Sequence, residues 1–123
     1  HVEVPQVKFQ EITANRDGEP SASIRDRVIA ARQLQEQRFD GRARVTCNAR
    51  MQARDIKQYC QLADEPKNLL QMAMNELNLS ARAYDRILKV SRTIADLSDS
   101  DSINSEHLSE TLQYRTLDRQ LWG

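Results

Sequence analysis

Glycine is scarce in this chain: three in 123 residues, Gly18, Gly41 and Gly123, none followed by Lys-Ser or Lys-Thr. That excludes a G-x-x-x-x-G-K-[ST] loop, whose backbone N–H groups surround nucleotide phosphates, and with it autonomous nucleotide hydrolysis of that type. Cysteine is scarcer still. Cys47 and Cys60 make no disulfide framework, so a reducing cytoplasmic setting is the expectation. No apolar run approaches the ~20 residues that span a bilayer, and no signal-peptide pattern opens the chain, so no membrane partner is expected. Aromatic residues make up 5% of the sequence and do not interleave with the cations, so no base-stacking platform is evident. Net charge is also missing, with 18 Lys and Arg against 18 Asp and Glu.

What is present is charge unevenly placed. Residues 21–60 hold nine Arg or Lys against four Asp or Glu, a local basic surface within a neutral whole. The length fits one domain with a single core. His1 to Pro5 reads as a short strand stopped by proline, with no second β-rich run to pair with. Without an initiating methionine, the chain reads as a piece of a longer protein. Residues 1–22 are expected to be a flexible remnant and 23–123 a helical domain.

The helical pattern is strong from there on. Ser23 is the expected N-cap of a first helix running to Phe39, with Ile24, Val28, Ala31, Leu34 and Phe39 inward and Arg25, Arg27, Arg32 and Arg38 elsewhere. Asp40-Gly41 stops it. Residues 42–52 read as a connection, and Ala53, Ile56, Tyr59 and Cys60 mark a short second helix. Asp64 is expected to cap a third, with Pro66 in its first turn and Leu69, Leu70, Ala73, Met74 and Leu77 as its apolar stripe. Ser80 caps a fourth, with Tyr84, Ile87, Leu88, Ser91, Ile94 and Ala95 inward and Arg86, Lys89 and Arg92 projecting away. The run Ser98–Ser102 ends it. Asn104 caps a fifth helix, in whose first turn His107 is expected to be exposed. The product is an all-α bundle of four or five helices.

Within it, Arg82 is misplaced for a merely structural helix. A helix N-terminus carries about half a positive charge from its unpaired N–H groups, so a first-turn arginine calls for an anion nearby. From the residues alone, that anion is either a phosphate or a carboxylate such as Asp85 or Asp64. Arg86, one turn on, is a secondary candidate, open to a merely local role. The basic surface of residues 25–57 is of the kind that binds DNA phosphates, but such arginines are usually just a helix's wet face, and a subunit interface explains them at least as well. Cys47, Cys60, His1 and His107 lack the close ligand pairs of a zinc site, so no metal is expected. Met51, Met72 and Met74 read as core filler.

The stretch Leu-Ser-Ala-Arg-Ala-Tyr-Asp-Arg-Ile-Leu-Lys-Val-Ser-Arg-Thr-Ile-Ala-Asp-Leu (79–97), with Glu106-His107-Leu108 and Gln113 to Arg119, resembles the C-terminal part of the magnesium-chelatase-like AAA+ ATPases of the YifB/ComM family. His1–Pro5 resembles the last strand of that family's ATPase core, and Ile24–Val28 with Ala30–Arg32 the helix leading into its lid. Essentially the whole chain is covered. The one departure is Gln52, where a serine or threonine often opens the second helix.

The resemblance implies the helical AAA+ lid of a P-loop ATPase whose core binds ATP and Mg2+. Arg82 matches the sensor 2 arginine that contacts the γ-phosphate, with Arg86 as a second nucleotide-binding candidate. It further implies a homohexameric ring with neighbouring subunits as partners, and a parent enzyme acting as a DNA helicase in branch migration during natural transformation. The alternative is a free-standing helical module that binds nucleic acid or protein through residues 25–57.

Overall fold

The periodicity of apolar positions resolves into five helices. The computed structural model describes residues 20–122, with side chains as far as Arg115. In chain order these are α1 (Ser21–Arg38), a 3-10 turn (Asn48–Arg50), α2 (Ala53–Tyr59), α3 (Asp64–Glu76), α4 (Ala81–Leu97) and α5 (Ser105–Trp122). The all-α expectation holds, with no strand among the described residues. The expected N-terminal strand lies outside them, as does the side chain of Trp122.

Helix α4 is central because its sequence is the most sharply amphipathic. Ala83, Ile87, Leu88, Ser91 and Ala95 fall on one face at helical spacing and are all buried. That face packs against α5, α1, α2 and the 3-10 turn, while α3 packs on α5. The core joins Phe39, Val45, Met51, Ile56, Cys60 and Leu70 to Ile87, Leu88, Ala95, Ile103 and Leu108. A buried polar contact joins α4 to α5. The Thr111 hydroxyl donates to the His107 carbonyl (3.0 Å), which leaves the Ser91 hydroxyl to donate to Thr111 Oγ1 (2.9 Å). Both buried hydroxyls are thus satisfied.

Helix α1 departs from its expected stripe. Pro20, not Ser23, is its N-cap, so Ser21 and Ala22 are already helical. Residues 21–30 are all exposed, with Ile24 at 42%, Val28 at 37% and Ile29 at 45%; only Ala31 and Phe39 of the expected stripe are buried. The reason is length, since α1 outruns the bundle that its second half packs on. Helix α3 starts after Ala63, with Asp64 and Glu65 in its first turn. Leu70 is buried and Leu69, Ala73 and Met74 half-buried, but Leu77 and Met72 lie outside the core.

The helix ends are set by polar side chains rather than by glycine. Ser80 Oγ accepts from the Ala83 N–H (3.2 Å) at the start of α4. Asn104 and His107 form a reciprocal box: Asn104 Oδ1 accepts from the His107 N–H (3.1 Å) and His107 Nδ1 from the Asn104 N–H (3.0 Å). His107 is therefore buried, contrary to expectation, because its ring serves as the cap's return partner. Helices α3 and α4 both stop with a left-handed residue, Asn78 (φ 51°) and Asp99 (φ 54°). Each closes a Schellman motif, with the Leu79 N–H bonded to the Met74 carbonyl and the Ser100 N–H to the Ala95 carbonyl. Gly41 (φ 79°) makes the corresponding reversal after α1.

Replacing Ser80 by alanine orphans the Ala83 N–H at the start of the central helix. Urea unfolding of Ser80→Ala should show stability lower by about 1 kcal/mol with an unchanged m-value.

Candidate functional site

The buried face of α4 leaves Arg82, Arg86 and Lys89 together on the other side, at i, i+4 and i+7. Arg82 is the second residue of the helix and Arg86 stands one turn above it; both are exposed. Ser80 satisfies only the Ala83 N–H, so the amides of Ala81 and Arg82 still project from the helix start beside the Arg82 guanidinium. Among the described residues Arg82 makes no ion pair with Asp85 or Asp64, the carboxylates considered for it. Its charge and the helix terminus add to a local positive potential that an anion would relieve. Lys89 is turned sideways, its Nζ donating to the Ala49 carbonyl at 3.4 Å.

The direction in which α4 points is fixed at its other end. Asp96 is buried and accepts four hydrogen bonds. Arg38 grips it bidentately through Nη1 and Nη2, each at 2.8 Å; Asn48 Nδ2 donates at 2.8 Å and Arg92 Nε at 3.1 Å. Burial pushes the Asp96 carboxyl up, yet the hydrogen bonds from Arg38 and Asn48 and the two guanidinium charges outweigh it and hold the group below its ordinary 3.8. The bond to Asp96 in turn raises Arg38, against the opposing effect of burial.

Arg92 corrects the sequence reading, which placed it outward with Arg86 and Lys89. It is 4% exposed, and its remaining donors reach the Ser100 carbonyl (2.6 Å) and the Asp101 carbonyl (2.9 Å). A position on the edge of the helix turns inward because Asp96 and two loop carbonyls supply the acceptors that make burial tolerable. Arg38, placed off the inward stripe of α1, is likewise drawn in, and it lies against the Tyr59 ring at 5.6 Å from the centroid.

A second ion pair organises α2. Arg42 Nη1 lies 2.7 Å from Asp55 Oδ1, and Asp55 also accepts from the Gln52 N–H (2.9 Å), the return half of a capping box. The Arg42 hydrogen bond holds the Asp55 carboxyl below its ordinary value despite burial. Gln52 thus opens the helix where serine or threonine was expected. Of the nine cations in 21–60, Arg38 and Arg42 are consumed inside; Arg25, Arg27, Arg32, Arg44, Arg50, Arg54 and Lys57 remain exposed, alongside Asp26, Glu36 and Asp40. Cys60 is buried and its thiol is pushed up to about 11 by desolvation, which makes it inert. Cys47 is half-buried, and no three His, Cys, Asp or Glu among the described residues converge as metal ligands. No helix among them is long and apolar enough to cross a membrane.

The model of the family described as "Magnesium chelatase, subunit ChlI C-terminal" matches residues 18–115, which take in α1 through most of α5. The chain belongs to that family. Among curated relatives, the competence protein ComM of Haemophilus influenzae is 42% identical over 118 residues, covering 96% of this chain and 22% of its own. The uncharacterized proteins YifB of Salmonella typhimurium and Escherichia coli are each 42% identical over 104 residues, 85% of this chain and 20% of theirs. The chain therefore spans about a fifth of the length of these relatives.

The Asp96 junction yields a signed pH dependence. With its carboxyl held low in the folded state, the unfolded chain binds more protons between that value and the ordinary one. Stability is then fully present above about pH 4 and falls as the pH drops through the folded-state value. Asp96→Asn should lose about 3–5 kcal/mol at neutral pH by urea unfolding, since two buried guanidiniums are left without their counter-charge, and its stability should fall less steeply in acid.

Proposed function

We propose that this chain is the helical lid of an AAA+ ATPase, closing over ATP and Mg2+ held by a P-loop core elsewhere in a longer protein, with Arg82 contacting the γ-phosphate. The observation that carries the reading is the position of Arg82. It is exposed in the first turn of α4, has no carboxylate partner among the described residues, and stands on a helix anchored at its far end by Asp96. A guanidinium suits a phosphoryl group, because its planar donors and permanent charge match oxygens whose charge rearranges during transfer. Arg86 is the second nucleotide-facing candidate, one turn farther along the same face.

The lid works by differential binding. A contact to the γ-phosphate exists with ATP and not with ADP, so it stabilises the closed arrangement only in the triphosphate state. The uncovered Ile24, Val28 and Ile29 on α1 give the ATPase core an apolar surface to rest on. The parent is proposed to be a cytoplasmic homohexamer in which neighbouring subunits meet at the lids. Its action as a DNA helicase promoting branch migration in natural transformation fits a relative named for competence. The seven exposed cations of residues 25–57 support the second reading, a binding module whose basic surface holds nucleic acid or protein without any nucleotide role.

Arg82→Ala in the full-length parent decides between them. ATP turnover should fall by about 100-fold or more, as when a donor to a transferring phosphoryl group is removed, and any stimulation by branched DNA should go with it. The isolated 123-residue variant should keep its helical circular dichroism and its melting temperature. Turnover equal to wild type would overturn the sensor assignment and favour the binding module.

A further inference from the structure

Beside the Arg82 stripe, a groove between α4 and α5 shares Arg86 with the nucleotide reading and carries features of its own at Val90, Tyr114 and Arg115. It encloses about 320 Å³ and is lined by Arg86, Ile87, Val90, Thr111, Tyr114 and Arg115. Its rim is apolar where water reaches it, with Val90 43% and Tyr114 55% exposed. It also carries two guanidiniums, and the Tyr114 hydroxyl at its rim donates to Glu110 at 3.4 Å. Arg115 Nε is buried without a hydrogen-bond partner. A buried donor left unpaired is costly, so the groove favours an occupant that brings an acceptor.

A matching surface lies farther along the same helix. Past the end of α4, Asp99 and Asp101 are exposed, next to Leu97 at 36% exposure. This acidic knuckle is held in shape from beneath. Arg92 grips the Ser100 and Asp101 carbonyls, and the Ser100 hydroxyl donates to the Ser102 carbonyl (2.7 Å). Its carboxylates are thus presented without further ordering cost.

Geometry excludes self-filling and suggests the arrangement. About 17 Å of helix separates Arg86 from Leu97, too far for a knuckle to enter its own groove. Arg86, Val90 and Leu97 nevertheless lie on one stripe of α4, at i, i+4 and i+11. Two copies with their α4 helices antiparallel therefore bring each groove against the other's knuckle. Leu97 meets the apolar rim, and Asp101 meets Arg86 and Arg115, twice over. We propose that this chain forms a two-fold dimer through the α4–α5 groove and the Leu97–Asp101 knuckle. The contact is isologous, closes on itself and needs no nucleotide or Arg82; of the nucleotide-facing candidates it uses only Arg86.

Sedimentation equilibrium of the 123-residue chain, from micromolar to near-millimolar concentration at low and high salt, tests this. A monomer–dimer equilibrium that weakens with salt is expected. Arg86→Glu and Asp101→Lys should each weaken dimerisation at least about tenfold, since like charges then face each other at both contacts. An equimolar mixture of the two variants should dimerise again, because one contact keeps the native pair and the other has both charges reversed. Restoration on mixing also rules out misfolding as the cause of the loss. A wild type that stays monomeric throughout, an open series of larger species, or variants that do not recover when mixed would each overturn the proposal.

Discussion

The register of α4 against α1 and the 3-10 turn depends on one buried carboxylate. Asp96 takes donors from α1 through Arg38, from the 3-10 turn through Asn48 and from its own helix through Arg92, so three segments distant in sequence meet on a single side chain. A charge in that position is costly to desolvate, and the cost is met only when every lone pair finds a donor. The four bonds to Asp96 satisfy that demand. The Arg92 guanidinium extends the junction to the loop after α4 and so fixes where that helix ends. An apolar core of similar size would hold the helices together, but it would permit them to slide. A bidentate guanidinium–carboxylate pair, with its fixed geometry, permits one register.

The apolar packing is correspondingly modest. The largest fully buried apolar side chains are Leu70, Ile87, Ile103, Leu108 and Val45, and most surround α4. Half of α1 contributes nothing to this core, and its apolar residues lie open. Ile24, Val28 and Ile29 span less than two turns and form an exposed apolar patch of the kind that marks contact surfaces.

The sequence made the helices legible because apolar periodicity, Ser80 and Asn104 as caps, and the polar stop after Leu97 are all local signals. The place of Arg82 in a first turn was legible for the same reason, since it depends only on Ser80 two residues before it. The Asp96 junction was not. Arg92 and Asp96 look like an ordinary i, i+4 surface pair, and nothing local reveals that Arg38, 58 residues earlier, will close over them. Periodicity assigned Arg38 and Arg92 outward because it weighs polarity, whereas burial was decided by the acceptors available at one site. His107 failed similarly: histidine in a first turn is polar by composition, but here its Nδ1 completes a cap. The outward half of α1 was misread because Ile24 and Val28 recur at helical spacing although the bundle packs only on the helix's second half.

These features bear on how a nucleotide signal would travel. Arg82 and Asp96 stand at opposite ends of one straight helix, about 21 Å apart. The middle of that helix is sealed against α5 by Ile87, Ser91 and Ala95, so it has little freedom to bend or fray. A pull on Arg82 from a γ-phosphate is therefore not absorbed locally. On the proposed reading it would act on the whole of α4 and, through Asp96, on α1. On the proposed reading the buried ion cluster is what makes the lid a lever: it joins the phosphate-facing end of the molecule to its docking helix through groups that are costly to separate.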